Sequence, residues 1–314
     1  MSKKSIGVSL MSYMKRLDHA FKNAPILPIN QSTKYVFFSD CHRGVGSNND
    51  NFVKNKNNFL AALQYYYENS YHYIEVGDGD ELWENRNFSQ IVEAYSDIFC
   101  QLGLFHKSGR LHMLYGNHDM EKKKLAPLFE NMQFHEGLIL QQTQPHLHQR
   151  NSLRNLPNSF HSPTDKPLHL HVTHGHQADF LNSVLWKLTR FLVRYLWTPL
   201  EAFGFTNPTS ASENNVRKDN LEQKYLAYAK ENDCLLLVGH THRPALGSVE
   251  MPYFNCGSCV NPDYITCIEL DGFYISLVKW YTGIEKSGCS GKNRKHPPIY
   301  PVFIKREVIA SEIL

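Results

Sequence analysis

Short apolar runs that end abruptly in polar, glycine-containing turns recur along this chain. Tyr35 to Ser39 (YVFFS), Tyr73 to Val76, Leu111 to Tyr115 and Leu168 to Thr173 read as buried strands, because runs this short and this apolar favour a covered sheet. Between them the spacing changes to three and four. Phe59, Leu60, Leu63 and Tyr66 predict a helix over Phe52 to Tyr67, and a second helix is predicted over Ile91 to Leu102. Strand, helix, strand, helix, strand predicts an α/β domain with at least partly parallel pairing. In such sheets ligands collect at the carboxyl ends of the strands.

Outside this stretch the pattern differs. Met11, Met14, Leu17 and Phe21 predict one amphipathic helix, which Pro25 and Pro28 stop. Residues 1–30 therefore read as an N-terminal helical extension, and 31–314 as the main domain. Residues 141 to 167, rich in Gln, Asn, Pro and Ser, read as a long surface loop. Residues 180 to about 230 read as a helical insert interrupted near Pro208, and from Cys234 onward LLLVG, ALGSVEM, YITCIEL and FYISLVKW read as short β runs. No internal repeat is visible.

Composition narrows the functional classes. Apolar residues make up 42% of 314, enough for a sizeable core. A net charge of +3 lacks the basic excess of a typical nucleic-acid binder. Seven cysteines, an odd number at wide spacings, do not form a secreted disulfide framework. With no apolar leader and no uninterrupted spanning run, a cytoplasmic location is expected. The lone Cys256-Gly-Ser-Cys259 reads as a turn. The 17 histidines change the picture most, since imidazole is the commonest metal-binding side chain.

Five short motifs follow the predicted strands in order: Asp40-Cys41-His42, Gly77-Asp78-Gly79-Asp80-Glu81, Gly116-Asn117-His118-Asp119, His174-Gly175-His176 and Gly239-His240-Thr241-His242. A carboxylate and an imidazole two residues apart can turn toward one ion, and a carboxylate with two oxygens can bridge to a second. An Asn carbonyl and further imidazoles complete two mixed nitrogen and oxygen shells. Such shells suit Mn²⁺, Fe or Zn²⁺ better than Mg²⁺ or Ca²⁺. Cys41, between two candidate ligands, is expected to point into the core.

This ordered set resembles the calcineurin-like metallophosphoesterase superfamily, whose pattern is D-x-H, G-D-x-x-(D/E), G-N-H-(D/E), a later His, and G-H-x-H. The resemblance implies a four-layer α/β/β/α sandwich with a helical insert, and a hydrolase that attacks phosphorus with a hydroxide held between two divalent ions. It implies Asp40, His42 and His242 on the first metal, Asn117, His174 and His240 on the second, and Asp78 bridging both. It further implies that His118 faces the substrate phosphate and that Asp119 orients it. Two divalent ions are expected as cofactors, Mn²⁺ first, with Fe or Zn²⁺ as alternatives. Arg43 as a phosphate clamp and His176 as a substrate contact are added from their positions beside the motifs.

Glu81-Leu82-Trp83-Glu84 and the apolar insert are similar to the branch of UDP-2,3-diacylglucosamine pyrophosphatases. The chain departs from that branch at His118, where Arg is usual, and at His176, where Asp is usual. A protein phosphatase would continue its second motif as D-R-G, where this chain has Asp80-Glu81-Leu82. The expected substrate is a small phosphorylated molecule with a phosphodiester or pyrophosphate bond, nucleotide-linked or lipid-linked. A nuclease and a non-catalytic scaffold on the same fold are the alternatives. The stretch from Phe180 to Phe205 reads as a helix packed in a core or interface, with a lid or a peripheral membrane contact over 180–205 as the alternative. His169 and His171 read as structural.

Overall fold

The central strands Lys34–Phe38, His72–Val76 and Leu235–Val238 carry apolar side chains on both faces, so each must be covered on both sides. The computed structural model describes residues 13–125, 128–143, 167–183, 186–193, 195, 215–284 and 302–314. Helix α1 (13–21) leads to strands β1 (Ile26–Ile29) and β2 (Lys34–Phe38). Then follow α2 (Lys56–Glu68), β3 (His72–Val76), α3 (Phe88–Ala94), α4 (Ser96–Lys107) and β4 (Leu111–Leu114). Strands β5 (Phe134–His135), β6 (Gly137–Gln142) and β7 (His169–Thr173) precede the helices α5 (Phe180–Ser183), α6 (Trp186–Leu192) and α7 (Asn215–Glu231). The chain closes with β8 (Leu235–Val238), β9 (Tyr253–Asn255), β10 (Tyr264–Asp271), β11 (Tyr274–Ile284) and β12 (Val302–Ile313).

These strands form two sheets, ordered β1-β6-β7-β8-β9 and β12-β11-β10-β2-β3-β4-β5. Strands β2, β3, β4 and β5 run parallel, as do β7, β8 and β9. Alternation along single strands builds the layers. Tyr35 and Phe37 of β2 join a core between the sheets, while Val36 and Phe38 pack outward against α2 and α4. Leu235 and Leu237 of β8 face the same inner core, while Leu236 and Val238 meet α1 and α7. The result is the expected α/β/β/α sandwich. Fully burying one such Phe or Leu contributes roughly 1.5–3 kcal/mol, so the layers are held mainly by these alternating positions.

The structure refines several expectations. The amphipathic helix exists, with Leu17 fully buried, but β1 then pairs with β6 as the edge of the first sheet. The helix expected over 91–102 is two helices, broken at Tyr95, whose hydroxyl is drawn to Asp50 at 2.6 Å. ALGSVEM holds only an isolated bridge at Ala245. Residues 144–166 of the expected loop and 196–214 of the insert, with Pro208, lie outside the described residues, as does Met11. Among the described residues no helix is long and apolar enough to cross a membrane.

Candidate metal centre

The motif residues converge because they end parallel strands that lie side by side. Asp40 and His42 follow β2, Asp78 follows β3, and Asn117 and His118 follow β4. His174 follows β7, and His240 and His242 follow β8. The two sets face each other where the sheets meet. Backbone bonds stitch the loops together: Asp40 N–H donates to Gly77 O (3.1 Å), His42 N–H to Asp78 O (2.9 Å) and Gly239 N–H to His174 O (3.1 Å). Space is tight enough that a side chain at Gly116 would collide with the Asp78 carboxylate.

Backbone strain concentrates here. Asp40, His42, Asp78, His240 and His242 all have positive φ, between 47° and 66°. Non-glycine residues in this region are uncommon, and such strain persists where function demands it.

Donor atoms cluster accordingly. Asp40, His42 and His242 form one group within metal-binding reach, and Asp78, His174 and His240 form another. His242 Nε2 lies 3.0 Å from Asp40 Oδ1, and His174 Nε2 lies 3.0 Å from Asp78 Oδ2. Among the described residues, six buried atoms of the motifs make no well-directed hydrogen bond, and four of them belong to the candidate ligands: Asp40 Oδ1, His42 Nε2, Asn117 Oδ1 and His174 Nε2. Buried polar atoms are normally satisfied, so four unsatisfied donors and acceptors aimed at one place fit cations. The ring tautomers agree. His174 Nδ1 meets the Val76 carbonyl at 2.9 Å and His42 Nδ1 meets Glu81 at 2.8 Å, leaving each Nε2 for a metal.

Electrostatics point the same way. Burial pushes the Asp40 carboxyl up, but the His242 and His174 rings outweigh it and hold the group well below the usual range. Burial raises Asp78 too, and His174 and His118 more than reverse it. Burial lowers His174, yet Asp78 and Asp40 lift it to about 9. Carboxylates that draw a proton onto His174 would equally welcome cations.

Other expected residues take different places. Asp119 does not contact His118. It accepts from Gly116 N–H (2.7 Å) and Gly79 N–H (3.0 Å) and pairs with Lys122 (2.6 Å), so it shapes the turn. The carboxylate beside His118 is Glu81, 2.8 Å from Nδ1, and the same Glu81 reaches His42. Burial raises Glu81, but His118 and His42 bring it down to about 2. Trp83 stacks on His118 at 4.0 Å and donates Nε1–H to Asn117 O at 2.7 Å. Glu81 and Trp83 were present in and beside the second motif, but no spacing assigned them these contacts.

Arg43 is the second correction. Its side chain is fully buried, with Nε 2.8 Å from Asp80 and Nη2 2.8 Å from Glu75. The charge is committed inside the protein, where it cannot clamp a substrate. His176 is 2% exposed and lies 5.6 Å from the His174 ring, so it packs behind a candidate ligand and does not line the opening. The open side belongs to His118, His242 and His42, with side chains 22%, 19% and 14% exposed. Cys41 is buried in the helix-side core, and His171 packs on Phe21 at 4.5 Å, both as expected.

A family model described as calcineurin-like phosphoesterase matches residues 33–246, more than half of the chain. No curated relative matches it. Among solved structures, a crystal structure of a mutant cold-active protein tyrosine phosphatase aligns with 83% of this chain and 81% of its own. The identity is 13% and the TM-score 0.37, too low to carry an argument.

Proposed function

Because the chain belongs to the calcineurin-like phosphoesterase family, and is thus a metal-dependent phosphoesterase, we propose a binuclear hydrolase of small molecules with a phosphodiester or pyrophosphate bond, nucleotide-linked or lipid-linked. The observation that carries the binuclear reading is the convergence of four unsatisfied buried donors and acceptors with two neighbouring carboxylate–histidine groups. Asp40, His42 and His242 would hold one ion, Asn117, His174 and His240 the other, with Asp78 between them. Two divalent ions bound there supply Lewis acidity and lower the pKa of a water at the site. Mixed imidazole and carboxylate donors favour Mn²⁺, Fe or Zn²⁺.

The chain's own groups do the rest. His118, partly exposed at the mouth and backed by Glu81 and Trp83, is oriented to donate to a phosphate or leaving oxygen. Its backbone N–H holds Asp78 Oδ1 at 2.8 Å, which fixes that carboxylate. Glu81 keeps His42 and His118 in register by meeting both rings. The exposed Phe180, Leu188, Phe191 and Leu192 of the insert support an apolar-tailed or membrane-proximal substrate. Arg190 of α6 pairs with Glu121, two residues past the third motif, at 2.5 Å, which ties this helix to the segment after that motif.

The test is metal content of the purified protein, followed by hydrolysis of bis-p-nitrophenyl phosphate and p-nitrophenyl phosphate with added Mn²⁺. About two ions per chain and preference for the diester are expected. A folded protein that takes up no transition metal would overturn the reading. A monoester preference would overturn the bond class alone.

A further inference from the structure

Behind His240 lies a group that metal binding alone does not require. His240 Nε2 is 3.3 Å from Asp179 Oδ2, so its Nδ1 is the nitrogen left for a metal. Asp179 is buried and comes from the segment after β7, just past the turn His176–Ala178. Its Oδ2 also accepts from Asn182 at 3.0 Å, and both its oxygens accept from Arg217 Nη2 at 2.7 and 2.6 Å. Arg217 belongs to α7, the last helix of the insert, which packs over the first sheet.

The same segment is tied down by further bonds from both outer helices. Lys224 of α7 donates to Ala178 O at 3.1 Å, Tyr225 of α7 to Gly175 O at 3.0 Å, and Arg16 of α1 to Gln177 O at 2.6 Å. A carboxylate on the far nitrogen of a ligating histidine sets the tautomer and raises the ligand's basicity. Here that carboxylate is also the anchor of a cation on a separate helix. We infer that Asp179 is a positioning residue that couples helix α7, through Arg217, to the metal centre at His240, so that ion binding and the order of α7 reinforce each other. This rests on the reading of His240 as a metal ligand.

The coupling is reciprocal by thermodynamic necessity. If α7 orders His240, then metal orders α7. Two variants test it, Asp179→Asn, nearly isosteric, and Arg217→Met, whose native side chain is 22% exposed. Calorimetric titration with Mn²⁺ should show one of the two ions weakened roughly 10- to 100-fold in Asp179→Asn, with the other ion unchanged. In Arg217→Met the affinity loss should be smaller. Amide hydrogen exchange should slow over 215–231 on adding Mn²⁺ to the wild type, and this slowing should disappear in both variants.

Wild-type affinity for both ions in a folded Asp179→Asn overturns the inference, and so does undiminished metal-induced protection of α7 in Arg217→Met. If Asp179→Asn does not fold, Arg217→Met carries the test alone. A wild type that binds no divalent ion overturns the functional reading, and this inference with it. A metal-binding wild type with indifferent variants overturns the inference alone.

Discussion

Two charged clusters lie side by side in this protein, and both grow from the same motifs. In Gly77-Asp78-Gly79-Asp80-Glu81, Asp78 turns into the candidate metal centre, while Asp80, two residues on, turns into a closed pocket with Glu75 and Asp119. Three carboxylates grouped so closely have the look of a cation site. The protein has filled it with its own cations. Lys122 Nζ lies 2.6 Å from both Asp80 and Asp119, and Arg43 lies 2.8 Å from Asp80 and from Glu75. Burial lowers Lys122, but Asp119 and Asp80 outweigh it and raise it well above its usual value. In the neighbouring cluster, among the described residues, no lysine or arginine pairs with the donors, and Asp40 Oδ1, Asn117 Oδ1, His42 Nε2 and His174 Nε2 make no well-directed hydrogen bond. Proximity of carboxylates therefore does not identify a metal site. What separates the two is who supplies the positive charge.

Breaking the open cluster should have the largest effect. Asp78→Ala removes the carboxylate proposed to lie between the two ions, and metal content and turnover should fall together, turnover by on the order of a thousandfold. Retained metal would show that Asp78 is not shared. Breaking the closed cluster should damage folding first. Lys122→Met leaves the buried Asp119 carboxylate without its cation, a change that costs about 3–5 kcal/mol, read as a lower urea midpoint. An unchanged midpoint would mean the network carries no stability.

His118→Ala should sharpen the comparison from the mouth of the site. It should keep both metals and lose turnover by about a hundredfold or more, in line with general acid catalysis. Normal turnover would remove His118 from the chemistry.

Away from both clusters, burial and neighbouring histidines hold His112 at about 4, and burial holds His171 at about 4. Both lie below the roughly 6.5 of an unfolded histidine. Above that value both states are neutral and nothing changes. As pH falls from about 6.5 toward 4 the unfolded chain takes up the protons first, so stability should decline across that window. His174, held at about 9, acts in the opposite sense only above about pH 6.5. Denaturant midpoints of the metal-free protein at about pH 6.5 and about pH 5 therefore check this, and a level profile would contradict it.

The smallest effect is expected at Phe191 of α6, 57% exposed. Phe191→Ser should shift stability by no more than about 0.5 kcal/mol while raising KM for an apolar-tailed substrate. A large loss of stability would instead make the insert a core element.

Much of this was legible in the chain. Apolar runs with Gly-Asp, Gly-Asn-His and Gly-His turns behind them located the strand ends, because a buried strand and a tight turn each demand particular residues. The short strands β1, β5 and β9 were not legible. Ile26–Ile29 contains Pro28 and pairs through β6 alone. Phe134–His135 and Tyr253–Asn255, two and three residues long, are too brief to show any periodicity. The roles of Arg43, Asp119 and Glu81 were not legible either. Each sits in or beside a motif, and sequence neighbours at a turn can point to opposite sides of it.

The sequence by itself determined the residue types, their order and their place at strand ends, since local periodicity and turn chemistry act over a few residues. Only the tertiary structure decided which carboxylate meets which cation. That choice depends on left-handed backbone at Asp40, His42, Asp78, His240 and His242, and on contacts such as Glu81 with His118 and Asp179 with Arg217. Those partners lie 37 and 38 residues apart, beyond the reach of any local pattern; the parallel pairing of β3 with β4 and the packing of α7 on the first sheet bring them together.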